Sequence, residues 1–296
     1  MVNFEAEVGV GRSLRLLLSW HYQRFTAAVR NRLKKMSLSE YKHVREVEEL
    51  RQLVKSEASL YIGEDNRMIM RYLHFTKFDV NKAFAKMKSV YMLKLENPKW
   101  FATTVFSESH NIALLRHIHC LLKDRDQSGR RVYVIKLGNI VIGELDPWEN
   151  FQVDDLWLEL ALDEPETQEN GLVYIIDMKN LSWRYLKYFT PNNCKVASQK
   201  AEGLPVHHME YHIVNSGILL NSLITIVFPF LSGSTKENIH FHKSNWASLH
   251  KYVNPDILPS EYGGKLPDLN YDELQIYLTD NINRLQELVK FGYKKE

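Results

Sequence analysis

The sequence predicts an α/β protein in which a largely parallel sheet follows a small all-helical region. Three observations carry that prediction. Between residues 39 and 100, apolar side chains recur at three- and four-residue spacing, the period of amphipathic helices. From about residue 130 onward, short β-branched and aromatic runs alternate with helix-length segments, the pattern of βαβ units. The chain's 296 residues, 45% hydrophobic and 25% charged, suffice for one sizeable core and a smaller companion.

In order along the chain, Val8 to Ser39 contains no acidic residue and sets seven Arg and Lys, from Arg12 to Lys35, among Leu14, Leu16, Trp20 and Phe25. Three readings fit this stretch: a transit peptide, a helix lying on anionic membrane, or an extension that solvates a basic face. Glu5 and Glu7 weigh against the first. Val44, Val47, Leu50, Leu53 and Val54 then mark one helix, and Asp65 is placed to cap a second carrying Ile69, Met70, Tyr72 and Leu73. Asp79 caps a third, which Asn97-Pro98 ends. After the turn Asp126-Gln-Ser-Gly129, strands are expected at Val132–Leu137, Leu172–Ile176, Tyr211–Val214 and Ile239–Phe241. Helices are expected near Leu156–Leu162, Asn193–Ala201 and Ile218–Leu231, and a short one after Ser244. The resulting division is a basic extension over 1–38, a helical region over 39–100, the α/β domain over 101–267 and a helical tail over 268–296.

Composition excludes several classes. A formal net charge of +2 gives no concentrated basic face for nucleic acid. Cys120 and Cys194 imply no disulfide framework and fit a reducing compartment. The longest nearly charge-free run, Tyr211 to Thr235, is broken by Asn215, Ser216, Gly217, Asn221, Ser222 and Pro229, so no membrane span is expected. Chemistry-bearing motifs are equally scarce. Gly9-Val-Gly11 lacks the third glycine of a dinucleotide fingerprint, and neither a phosphate-binding loop nor a nucleophile elbow occurs. The pairs His117/His119, His207/His208 and His240/His242 lack the third and fourth ligands of a zinc site, so they are read as structural or surface residues. Asp124, Asp126 and Asp177 flank turns or end strands, where carboxylates serve the backbone. No catalytic set, metal site or cofactor is expected.

One segment remains distinctive. Ten of the fourteen residues from Ile218 to Leu231 are hydrophobic, an arc wider than a surface helix needs. On pattern alone it is either a buried core helix or a helix facing something greasy.

Several ordered motifs then match a family. Asp126-Gln-Ser-Gly-Arg130, Glu166-Thr-Gln-Glu-Asn-Gly171 before Ile175-Ile-Asp177, Leu204-Pro205 before His212-Ile-Val-Asn215, Pro229-Phe-Leu231 and Ile239-His-Phe-His242 are the first five. Leu249-His-Lys-Tyr252 and Leu258-Pro-Ser-Glu-Tyr-Gly-Gly264 complete the series. Together, over residues 44 to 265, they resemble CRAL-TRIO proteins, in the branch that holds the α-tocopherol transfer protein-like, retinaldehyde-binding and clavesin types. The resemblance implies a sheet flooring an apolar lipid pocket, a preceding helical domain and a mobile apolar lid. Pocket residues by positional match are Phe151, Asp154, Leu158, Leu172, Ile176 and Tyr211, with Leu220, Leu223, Ile224 and Val227 from the lid; Ile218, Leu219, Ile226, Phe228, Phe230 and Leu231 are the lid's remaining apolar residues.

Two departures narrow the expectation. Asp154 and Leu158 stand where the tocopherol carrier has serines, so tocopherol itself is not expected. His207, Met209, Ser234 and Asn238 stand where phosphoinositide-binding members carry a basic cluster, and of these only His207 can gain positive charge, near its reference pKa of about 6.5. The expected function is binding and transfer of a small hydrophobic lipid, such as a retinoid, carotenoid, tocopherol-like or other isoprenoid, in the cytoplasm with transient membrane contact, without catalysis, and with weak or no phosphoinositide binding at neutral pH. The alternative is a phosphoinositide-dependent trafficking adaptor of the same fold.

Overall fold

The structure, a computed structural model, describes residues 38–294. The expectations placed on residues 1–37 lie outside the described residues. The described residues divide into two units, one ending at Arg45 and one beginning at Glu46. In the first, helix α1 (Leu38–Lys42) is followed by the opening of α2 (Val44–Ser56), and the His43 N–H donates to Glu40 O at 3.2 Å.

The second unit starts with helical packing. Val47, Leu50 and Val54 of α2 are buried with residues of α3 (Arg67–Phe75) and α4 (Val80–Glu96), and the two-residue strand β1 (Leu60–Tyr61) lies between α2 and α3. Asp79 caps α4 by accepting the Lys82 N–H at 3.0 Å. For α3 the N-cap position falls on Asn66, one residue beyond the expected Asp65; Asp65 Oδ1 still accepts the Arg67 N–H at 3.0 Å, so the carboxylate serves the same end.

After α5 (Glu108–Leu115), the sheet is laid down by β2 (His119–Leu121), β3 (Arg131–Lys136), β4 (Leu172–Asp177), β5 (Met209–Val214) and β6 (Ile239–Lys243), in that spatial order. Strands β3 to β6 are parallel and β2 is an antiparallel edge. The crossovers carry α6 (Pro147–Asp163) and α7 (Pro165–Asn170), then α8 (Pro191–Gly203), then α9 (Leu220–Val227) and α10 (Gly233–Glu237). Local sequence fixes the joints. The Asp126 carboxylate accepts the N–H groups of Ser128 and Arg130, which closes the turn before β3. Asp146 and Glu149 form a capping box that starts α6 with Pro147 in its first turn. Gly171 has φ +99°, and a Cβ there would meet His208 O at 2.2 Å, so glycine alone lets β4 leave α7 tight against the start of β5.

Alternation divides the sheet into two faces. Val132, Val134, Val173, Ile175 and Val214 pack beneath it against Leu249 of α11 (Trp246–Leu249), Val253, Leu258 and Tyr262. Tyr133, Leu172 and Tyr174 face the opposite core with Trp157 and Leu158 of α6. The chain end, α12 (Tyr271–Asp280), α13 (Ile282–Leu288) and β7 (Gly292–Tyr293), returns to the helical part, where β7 pairs antiparallel with β1. Arg284 of α13 donates to both Asp163 oxygens at 2.6 and 2.8 Å and to Asp65 at 2.9 Å.

Candidate functional site

Above the middle of the sheet lies a cavity of about 330 Å³, within the size range of small-molecule sites. Its floor is the upper face of the parallel strands: Ile135 from β3, Tyr174 and Ile176 from β4, Tyr211 and Ile213 from β5, Ile239 and Phe241 from β6. Phe151, Asp154 and Leu158 of α6 form one wall and Cys194, Ala197 and Ala201 of α8 another, with Tyr185, Tyr188 and Phe189 completing the rim. Leu220, Leu223, Ile224 and Val227 of α9 close the top with Phe228 and Leu231.

Helix α9 separates the two readings of its pattern. It has five hydrophobic residues in eight, yet none is buried. A core helix of this composition would be covered on most sides; this one has the hollow on one side and solvent on the other. It is also shorter than expected. The α-helix covers Leu220–Val227 and a 3-10 turn follows at Phe228–Phe230, because Pro229 has no N–H to continue the ladder and restricts Phe228 before it. Ile218 precedes the helix and is 96% exposed, Leu219 is the N-cap, and Ile226 and Phe230 are half-buried away from the cavity lining.

Both ends of the segment that carries α9 are tied by side chains. Asp177 at the end of β4 accepts from Asn215 Nδ2 at 2.8 Å, and Asn215 takes φ +50° just before Gly217. At the other end the Glu202 carboxylate accepts the Ser232 N–H at 2.6 Å and the Thr235 hydroxyl at 3.0 Å. The sequence reading missed Glu202, since a carboxylate at the end of α8 carries no periodic signal.

Nine of the ten expected pocket residues line the cavity. Leu172 does not. It shares a face with Tyr174 and Ile176 but begins β4, where the core fills the space, and it is fully buried. Polar groups reach the cavity at few places. Lys200 is paired with Asp155 at 2.6 Å and donates to Trp100 O at 2.8 Å. Asp154 accepts from the Tyr133 hydroxyl at 2.7 Å, and burial pushes its carboxyl up to about 7.

The four positions matching a headgroup site fall around the starts of β5 and β6. His207 and Ser234 are exposed, Met209 opens β5, and Asn238 O accepts the Tyr211 N–H at 2.9 Å. Burial, followed by the neighbouring His208 and Lys77, holds the His207 imidazole below its ordinary range. The histidine pairs are structural in placement. His117 stacks on Tyr271, His119 bonds to Tyr133 and Asn150, and His240 and His242 stack with His212 and Tyr252 beneath the sheet. Among the described residues no group of three metal-ligating side chains is placed to hold an ion, and no helix is long and apolar enough to cross a membrane. Cys120 and Cys194 are buried and free.

Comparison with known proteins agrees with this geometry. Clavesin-2 of Mus musculus is 28% identical over 253 residues, 80% of this chain and 77% of its own. Clavesin-1 of Xenopus laevis is 28% identical over 230 residues, 75% of this chain and 68% of its own. The crystal structure of Sfh5 shares the fold with a TM-score of 0.53 at 13% identity, covering 84% of this chain and 100% of that one. Residues 115–264, from the end of α5 through the sheet and α9, match the CRAL/TRIO domain. The chain therefore belongs to the lipid-binding CRAL/TRIO domain family.

Proposed function

We propose that this protein is a non-enzymatic carrier that encloses one small hydrophobic lipid above its sheet and exchanges it with membranes by moving α9. The observation that carries the reading is the hollow itself: an apolar cavity of about 330 Å³ roofed by a helix none of whose residues is buried. An empty void of this kind forfeits dispersion contacts along its lining, and a shape-matched ligand restores them. At about 0.8 kcal/mol per buried CH₂, a ligand of a dozen carbons gains roughly 10 kcal/mol of gross driving force. Hydrocarbon burial alone thus holds the cargo, and the same apolar lid residues, turned outward, meet the bilayer. The protein then works in the cytoplasm and touches membranes transiently.

Protein purified from its native tissue should carry stoichiometric lipid, identified by mass spectrometry of an organic extract. If native protein contains no lipid, and no isoprenoid or phospholipid raises its melting temperature at saturation, the carrier reading fails.

A further inference from the structure

Beneath the sheet, on the face away from the cavity, three imidazoles are packed together. His212 of β5 and His240 of β6 are direct register partners, and His242 stands two residues further along β6, so alternation sends all three rings to the lower face. The His212 centroid is 5.2 Å from that of His240 and 5.1 Å from that of His242, and Tyr252 covers the group 4.4 Å from His240. His212 Nδ1 lies 2.9 Å from His242 Nε2, and His242 Nδ1 lies 2.8 Å from Ser248 Oγ of α11. His212 and His242 are buried, and His212 Nε2 has no hydrogen-bond partner among the described residues. Few charges face the group. Glu210 of β5 comes within 3.6 Å of His212 Nε2, but its carboxylate is paired with Arg130 at 2.8 Å, and Arg130 is also bonded to Asp126 at 2.7 Å. On the β4 side the register partner of His212 is the apolar Ile175.

A hydrogen bond between two imidazoles holds one proton between its nitrogens. If both rings are charged, two N–H groups face each other across 2.9 Å and the bond is lost. Burial, followed by His242, His240 and Arg130, holds His212 neutral, and burial followed by His240 does the same for His242. The strand fastened by this pair also serves the cavity. Strand β6 is the edge of the sheet and pairs with β5 alone. Its upper face gives Ile239 and Phe241 to the cavity floor, and Phe228, just past α9, stacks on Phe241 with centroids 6.3 Å apart. Helices α9 and α10 both lie on the crossover that leaves β5 and returns as β6.

We infer that His212 and His242 form an acid-operated fastening: when both rings take up protons β6 parts from β5, Ile239 and Phe241 leave the cavity floor, and α9 loosens. The release of lipid that follows rests on the carrier reading above; the parting of the strands does not. In the parted state the rings meet water and titrate near 6.5, so each imidazole raises the opening constant about ten-fold between pH 7.5 and 5.5.

The test is hydrogen exchange of the full-length protein at pH 7.5 and 5.5, read as protection factors so that the pH dependence of intrinsic exchange cancels. Protection of β6 and α9 should fall by more than about ten-fold in acid, while β3 and β4 keep theirs. His212→Phe keeps a ring in the stack and should remove about ten-fold of that response. His242→Gln, which keeps an amide for Ser248, should do the same and guards against misfolding of the first variant. His110→Phe, a buried imidazole outside the group, should leave the local response unchanged. Equal loss of protection across the whole sheet, no loss at all, or a loss indifferent to both substitutions overturns the fastening. Its consequence is read as transfer of all-trans-retinol, a probe that carries no charge at either pH, to phosphatidylcholine vesicles; transfer should speed up about ten-fold or more at pH 5.5, and less in His212→Phe. If β6 loosens in acid while no lipid of any kind binds, the fastening stands and the carrier reading falls. If retinol is carried but leaves equally fast at both pH values, the carrier reading stands and the link from fastening to release falls.

Discussion

At the residue scale, several imidazoles are held neutral inside the fold. His110 is fully buried against Phe106, and neither ring nitrogen has a hydrogen-bond partner among the described residues. Burial pushes it down to about 4, as it does His242, and pushes His212 down to about 3. An unfolded histidine titrates near 6.5, so between about pH 6.5 and 3 the unfolded chain binds protons that the native chain refuses. Stability must therefore fall as pH drops through that window and level off below it. His110→Phe removes two unsatisfied buried nitrogens and keeps the ring. We expect it to stabilise the protein by about 1–3 kcal/mol at neutral pH, with a larger gain at pH 5. Denaturant unfolding at pH 7.5 and pH 5 measures this directly, and a variant less stable than the parent at both would show that the ring nitrogens are satisfied in solution. Asp154 belongs to the same scale. Its residue type was visible in the sequence, but its partnership with Tyr133 depends on packing between α6 and β3, which no local pattern reports.

For single elements the question is what α9 does. A charge placed in a static core helix costs several kcal/mol, whereas on a lid that opens it is solvated in the open state. Ile224→Asp or Val227→Asp should therefore slow transfer to vesicles by about ten-fold or more, the loss expected from one apolar anchor, while lowering stability much less. Stopped-flow transfer and thermal unfolding on the same samples decide the point, and equal loss of both properties would make α9 a core helix. Ile218, 96% exposed, is the matching control: Ile218→Ser should weaken vesicle association and leave the melting temperature unchanged. The elements also differed in how readable they were. Strands β3 and β4 were plain because parallel strands covered on both faces become nearly continuous apolar runs, whereas β5 and β6 mix apolar residues with Glu210, His212, His240 and His242. Strands β1, β2 and β7, two or three residues each, are too short to show a period and exist through their partners. The lid's composition was legible, but its hollow underside was not, since a void leaves no trace in the order of residues that line it.

Across the whole molecule, folding brings together charges that the sequence scatters. Arg284 reaches Asp163 and Asp65, so the segment read as a helical tail is clasped to α6 and to the loop before α3. The same separation of near from far bears on membrane attraction. Around the N-terminal ends of β5 and β6 stand His207, Met209, Ser234 and Asn238 where a headgroup site would need Lys or Arg, and His207 is held below its ordinary range. Desolvating several phosphate charges there would require charge-assisted bonds worth roughly 1.5–3 kcal/mol each, and at neutral pH these residues supply none. Lys77 beside His207 is a single cation, short of such a cluster. Arg12 to Lys35 can attract anionic membrane, but through charge density alone, so that attraction should be indifferent to headgroup and weakened by salt. Vesicles containing phosphatidylserine or a phosphoinositide at matched charge, presented to the chain with and without residues 1–39, separate the two sources. The full chain should bind both vesicle types alike and release them as salt rises, the truncated chain should keep only the weak, headgroup-indifferent contact of α9 at pH 7.4, and any headgroup-dependent remainder should grow as acid charges the histidines. Tight, headgroup-selective binding by the truncated chain would place a phosphoinositide site on the α/β unit itself and promote the trafficking-adaptor reading over the carrier.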